Sequence, residues 1–372
     1  MPVPLDELLA AVLRGDSLDV RAIVAHGADA IDARATDHDV LPLVANRLLS
    51  AAALPVELRA RFETEAHEAV VLDLAVEVEL RRLLKAFAAS GVEMLLIKGG
   101  HLAYGHYARP DLRARIDSDV LIARAQREIA DEILTRQLGY VVDAKVSGDL
   151  TATQKLYVLT RNDAVVHLVD LHWRLASPQV FAHVLSFEEL LASSVPLHAL
   201  GPTARGPSDV HALLIACMHR VAHHHDEADQ FKWLYDVHLI ASRFDEAAWT
   251  AIAALAAERA VAAVCLDSLE RSARWFHTAI PSQLRTDARF VGAERREQTA
   301  AYLQLRPQGR RVLDDLRALP SWGDRLHLAR EHLFPGPAYM RQVYAPSSRL
   351  PLPVLYARRI VRGMWGWFRP PT

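Results

Sequence analysis

The sequence predicts an α+β fold: a small mixed sheet with helices at the centre of the chain, helices before it, and a larger all-helical region after it. Three observations predict it. Apolar residues recur at helical spacing before residue 90 and after Pro178. Between those stretches lie short, nearly continuous apolar runs, such as VEMLLI at 92–97 and AVVHLVDL at 164–171, the pattern of buried strands. Glycines close several of these segments, at Gly91, Gly99-Gly100 and Gly139. The expected organisation is an N-terminal helical region over 1–90, an α/β core over 91–178, a helical domain over 179–345 and a basic aromatic tail over 346–372.

In chain order, residues 1–90 read as helical throughout, with Leu72, Val76, Leu80, Leu83 and Phe87 forming one apolar stripe. Gly91 suits the position just past a helix end. A strand over 92–97 is followed by a helix from about Gly100 through Tyr104, and RPDLRAR (109–115) is a polar connection. Residues 116–122 form a strand. Residues 123–139 form a helix with Ile129, Ile133 and Leu138 on one face. Strands follow at 140–146, 155–159 and 164–171. Beyond Pro178 the pattern is helices only, clearest at 209–225, 231–244 and 247–276. APSSRLPLP (345–353) reads as an extended linker.

At 372 residues the chain exceeds one typical core, and 51% hydrophobic residues allow a large buried interior. A formal charge of −2 argues against a general nucleic-acid-coating role. With Cys217 and Cys265 alone, there is no disulfide framework and no cysteine zinc pattern. The first residues, MPVPLDELLAAVLRGD, lack the charge and apolar pattern of a signal peptide, and no apolar run is long enough to span a membrane. A cytoplasmic location is expected.

Chemistry concentrates in the centre. Asp117 and Asp119 flank Ser118 in a predicted strand, so both carboxylates share one face. Adjacent like charges are costly unless a cation lies between them, and a divalent metal is the usual one. Gly99-Gly100 ends the preceding strand, where glycine lets the backbone approach a ligand and a helix N-terminus offers N–H groups to phosphate. Asp170 interrupts the apolar strand VVHLVDLHW, and a carboxylate there needs a partner. Val166, Leu168, Asp170 and His172 share a face if that strand stays regular. Three carboxylates on neighbouring strands would make an oxygen-rich site for Mg²⁺ or Mn²⁺. Each feature alone has a plainer reading: a simple turn, a solvent-facing edge strand, a solvated charge.

Together these words resemble those of the DNA-polymerase-β-like nucleotidyltransferase superfamily, and within it the bacterial uncharacterised nucleotidyltransferase family. LLIKGG, LRARIDSDVLI, VDLHWRL (169–175), CMHRVAHHHDE, FKWLYDVHLI and HLFPGPAYMRQVY (332–344) carry the resemblance, which covers about residues 70–365. It implies transfer of a nucleoside monophosphate from an NTP to an acceptor hydroxyl or phosphate, with release of pyrophosphate. It implies Asp117, Asp119 and Asp170 as ligands of Mg²⁺ or Mn²⁺, with Asp170 also the general base. Lys98, Gly99, Gly100, Arg113 and His172 would face the nucleotide. A small molecule or peptide natural product is the favoured acceptor, ahead of a protein side chain or an RNA end. Two departures stand out: Gly100 occupies a position often held by serine, and the gap from Gly100 to Asp117 is long.

His219 and His223 share a helix face at i, i+4 and, with Lys232 and Asp236, are candidates for the same pocket. Zinc is a weaker alternative, since no third ligand is evident. Arg349, Arg358, Arg359, Arg362 and Arg369 surround Trp365, Trp367 and Phe368 in the tail, which either packs on the body or docks on a membrane or acidic surface. Competing functions are another nucleotide-dependent group transfer on the same metal site, and a degenerate, non-catalytic nucleotide-binding or interaction protein.

Overall fold

The first four helices, α1 (Leu5–Arg14), α2 (Val20–His26), α3 (Ala28–Asp37) and α4 (Leu41–Leu49), are too short to be stable alone and gain their stability by packing. The structure is a computed structural model that describes residues 3–17, 20–50, 54–143, 148, 150–223, 229–304, 307–344 and 350–366. Leu9, Leu13, Ile23, Ile31, Val44 and Leu48 from these helices share a core with Phe231, Leu234, Tyr235 and Phe276 from far along the chain. The next helix, α5 (Val56–Ala89), has 34 residues and so runs roughly 50 Å. Its first half adds Leu58 and Phe62 to that core. Its second half lays Leu80, Leu83, Leu84 and Phe87 under the sheet. The predicted stripe is therefore buried only from Leu80 onward; Leu72 is exposed. The helix ends where expected, with Gly91 in a left-handed conformation at φ +68°.

The central unit runs β1 (Met94–Leu96), α6 (Lys98–Gly105), β2 (Ser118–Ile122), α7 (Arg127–Glu132), β3 (Val141–Asp143), β4 (Gln154–Arg161) and β5 (Ala164–His172). The expected helix over 123–139 is regular α-helix only in α7, with a 3-10 turn before it and a π turn, Ile133–Gln137, after it. The five strands form one mixed sheet in the order β1-β2-β5-β4-β3. Only the β2–β5 pair is parallel, and its register sets Asp119 opposite Asp170 and Leu121 opposite His172. Alternation then divides the side chains between two faces. Leu96, Val120, Ile122, Val169 and Leu171 pack toward α5. Leu95, Ile97 and Leu121 pack toward the C-terminal helices. Asp119, Asp170 and His172 share that second face.

After the sheet come α8 (Gln179–Ala182), α9 (Phe187–Ala192), the hairpin β6 (Val195–Pro196) and β7 (Arg205–Gly206), then α10 (Asp209–His223), α11 (Phe231–Ala241), α12 (Glu246–Glu258) and α13 (Ala262–Phe276). The small hairpin corrects the expectation of helices only. β7 passes so close to α6 that a Cβ at Gly206 would collide with the buried His101 ring. The single helix expected over 247–276 is two helices. They break at Ala260, which takes a left-handed φ of +53° without any glycine or proline to mark the turn. Beyond lie α14 (Ser282–Thr286), α15 (Ala293–Arg296), α16 (Gln308–Ala318), α17 (Trp322–Leu333), α18 (Pro337–Tyr344) and α19 (Leu352–Gly366). The linker expected over 345–353 and the aromatic end of the tail lie largely outside the described residues. Among the described residues, no helix is long and apolar enough to cross a membrane.

Candidate active site

The turn between β1 and α6 builds one wall of the site. Ile97 is extended and its N–H donates to the Asp119 carbonyl at 3.1 Å, tying the turn to β2. The backbone then reverses at Lys98, whose φ of +47° lies in the left-handed region. A side chain there is sterically unfavourable, and such strain gathers at functional sites. The glycines that follow are in the first helical turn and carry no such φ. A Cβ would sit 3.7 Å from Arg113 Nη1 at Gly99 and 3.5 Å from Leu96 Cδ2 at Gly100. These are ordinary contacts, so packing alone does not demand glycine at either position.

The acids lie across from this turn. Asp119 Oδ1 accepts from Lys98 Nζ at 2.7 Å and lies 2.8 Å from His172 Nε2; Lys98 Nζ is 3.3 Å from the same histidine nitrogen. Asp170, opposite Asp119 on β5, accepts from Gln154 Nε2 at 2.5 Å through Oδ2. One donor atom each from Asp119, Asp170 and His172 falls within 4.8 Å of the others. Asp117 precedes β2 instead of sitting in its pleat, and stands half-buried beside this cluster rather than in it.

Crowding sets the protonation. Burial favours the neutral form of Asp119, but the Lys98 ammonium and the contact from His172 outweigh it and hold the carboxyl below its ordinary value. Burial, with Asp119 and then Asp170 nearby, pushes Asp117 up to about 7. Asp170 is raised, chiefly by burial. Burial and then Lys98 lower His172, so its ring is neutral, the form that binds metals. Among the described residues, His172 Nδ1 is buried without a hydrogen-bond partner. Two carboxylates and a neutral imidazole within one small space fit a divalent cation by donor chemistry, Mn²⁺ at least as well as Mg²⁺.

Beside the acids opens a cleft of about 510 Å³ between the sheet and the C-terminal helices. Lys98 and Gln154 line it from the acid side, His219 and Met218 from α10, and Asp315 and His332 from α16 and α17. A family model described as uncharacterised nucleotidyltransferase matches residues 25–277. The chain belongs to this nucleotidyltransferase family. The crystal structure of an antigenic nucleotidyltransferase-like protein from Paracoccidioides brasiliensis is similar at 14% identity, over 53% of this chain and 92% of that one, with a TM-score of 0.30. No curated protein matches the chain.

The other residues singled out in this nucleotidyltransferase have definite places. Arg113 is buried, and its guanidinium grips Asp236 of α11 through Nε at 2.8 Å and Nη2 at 2.7 Å; Tyr107 donates to the same carboxylate at 2.9 Å. The fork that suits phosphate thus binds a carboxylate here. His219 lines the cleft and meets Trp233 edge-on at 5.9 Å. Lys232 pairs with Asp39 of the N-terminal region. The His223 side chain lies outside the described residues.

Gln154, which holds Asp170, carried no signal in the sequence beyond its place at a strand end. Nor did the pair beneath the acids: Ser118 Oγ lies 2.9 Å from His167 Nε2, and Tyr140 OH lies 2.7 Å from His167 Nδ1, fixing β2 to β5 from the far face. Asp315 accepts from the Gln179 N–H at 2.7 Å and from Tyr302 OH at 3.1 Å at the cleft wall. Contacts between residues 13 to 136 positions apart leave no local pattern to read.

Proposed function

We propose that the protein is a metal-dependent nucleotidyltransferase that moves a nucleoside monophosphate from an NTP to an acceptor hydroxyl or phosphate and releases pyrophosphate. The observation that carries this reading is the parallel β2–β5 register, which sets Asp119 beside Asp170 and His172 next to the Lys98–Gly100 turn. Asp119 and Asp170 would hold a Mg²⁺ or Mn²⁺ ion with His172 within reach of it, and Asp117, beside this cluster, would turn to the same ion. When bound, the ion would supply a Lewis acid for the phosphates.

The chain's own residues would do the rest. Gly99 and Gly100 stand in the first turn of α6, whose backbone N–H groups would meet phosphate oxygens. The acceptor hydroxyl would attack the α-phosphorus as the bond to the β-phosphate oxygen breaks, and its proton would pass to Asp170. Gln154 holds Oδ2 of that carboxylate, which leaves Oδ1 for the proton. A cleft of about 510 Å³ suits a small-molecule or peptide acceptor better than a folded protein. Asp119→Asn or Asp117→Asn should abolish metal-dependent NTP turnover with the circular dichroism spectrum unchanged. Turnover at the wild-type rate in either variant contradicts the mechanism.

One observation favours a second reading, a degenerate member that binds nucleotides without turning them over. Lys98 already neutralises Asp119, so the carboxylates do not need a metal to be tolerated. NTP binding without pyrophosphate release, over a panel of acceptors, would select it.

A further inference from the structure

Lys98 is held where two of the clustered metal donors converge. Its Nζ lies 2.7 Å from Asp119 Oδ1 and 3.3 Å from His172 Nε2, and those two atoms are 2.8 Å apart. An ammonium and a divalent cation compete for these atoms: the two lone pairs of Asp119 Oδ1 already face Lys98 and His172, and the two cations would repel at this distance. Lys98 reaches this position from a left-handed backbone, an arrangement that costs energy for a residue with a side chain. It also has somewhere to go: the same residue lines the 510 Å³ cleft.

We infer that Lys98 is the resident counter-ion of the acid site, and that it must withdraw from Asp119 into the cleft before a divalent cation can bind. The inference rests on the metal-dependent reading of the site. Two properties follow. The metal-free protein keeps Asp119 neutralised, so the crowded acids do not strain the fold. The binding of a metal ion also turns one positive charge toward the cleft, where the phosphates of a nucleotide would lie. Lys98 therefore couples metal binding to anion binding, and it lowers the affinity for the metal alone.

Titration of the full chain with Mn²⁺ alone, followed by calorimetry, tests this. Lys98→Met removes the competing charge and keeps the side chain's length. It should bind Mn²⁺ at least ten-fold more tightly than wild type, and Mn²⁺ should raise its melting temperature more. Equal or weaker binding by the variant, or no binding by either protein, overturns the inference. A second measurement uses wild type and so does not depend on the variant folding. Lys98 is one of five lysines, so mass spectrometry can follow its acetylation by acetic anhydride separately. Saturating Mn²⁺ should raise the Lys98 rate several-fold and leave Lys85, Lys155 and Lys232 unchanged. An unchanged Lys98 rate overturns the inference. Pyrophosphate release from NTP is scored separately, so failure there, with both Lys98 effects present, would sink the transferase reading alone.

Discussion

Asp315 shows how far a single buried carboxyl can shift the behaviour of the whole chain. Burial raises it from the ordinary 3.8 to about 6, so the folded state favours its protonated form. A carboxyl raised on folding contributes stability that is intact below its unfolded value and is lost as the pH rises through about 6. Asp315→Asn keeps an oxygen for the Gln179 and Tyr302 donors and has no proton to lose. Urea melts should find the variant equal to wild type in acid and more stable at neutral pH, by on the order of 2 kcal/mol. A variant less stable at neutral pH would mean that the charged form is the better fit. Nothing local marked Asp315 in the sequence. The acids of the candidate site were different: two residues apart within one predicted strand, and a third breaking another, they stood out as charges that burial would not tolerate unpaired. What could not be read there was the partner. The cation beside Asp119 is Lys98, singled out in the sequence only for phosphate.

Among the elements, strand periodicity was the most legible feature. The alternation in 164–171 placed Asp170 and His172 on one face, and β5 (Ala164–His172) has them there. Asp117 falls outside that logic because β2 begins one residue later, at Ser118. Helix breaks were harder to see where no glycine or proline marks them, as at Ala260 between α12 and α13. In α5, helical spacing identified the stripe but not where its burial begins, because that depends on where the sheet sits. Leu83 is fully buried between α5 and the sheet, whereas Leu72 is 68% exposed. Leu83→Ala should cost about 2–5 kcal/mol in denaturant melts. Leu72→Ala should stay within about 0.5 kcal/mol of wild type. Similar losses from both would contradict the packing described here.

Across the whole molecule, the sheet is held against the helices by a buried ion pair as well as by its apolar face. Arg113 and Asp236, 123 positions apart, join the loop before β2 to α11, and Tyr107 shares the carboxylate. Removing one partner of a buried pair strands the other charge, so Asp236→Leu should cost about 3–5 kcal/mol. The double variant Arg113→Met with Asp236→Leu should recover most of that loss. A double variant no better than the single would mean that the tie does more than balance charge. The same geometry places the acid cluster, the Lys98–Gly100 turn and the cleft along one side of the sheet, facing the C-terminal helices. The central claim is that this side carries nucleotidyl transfer. The most direct test gives the protein Mn²⁺, a cell extract as the source of acceptor, and NTPs labelled at either the α- or the γ-phosphate. The account predicts that the α-label enters an acceptor, the γ-label leaves in pyrophosphate, and both stop with Asp119→Asn. Transfer of the γ-label to an acceptor, or α-label transfer that persists in Asp119→Asn, would contradict it.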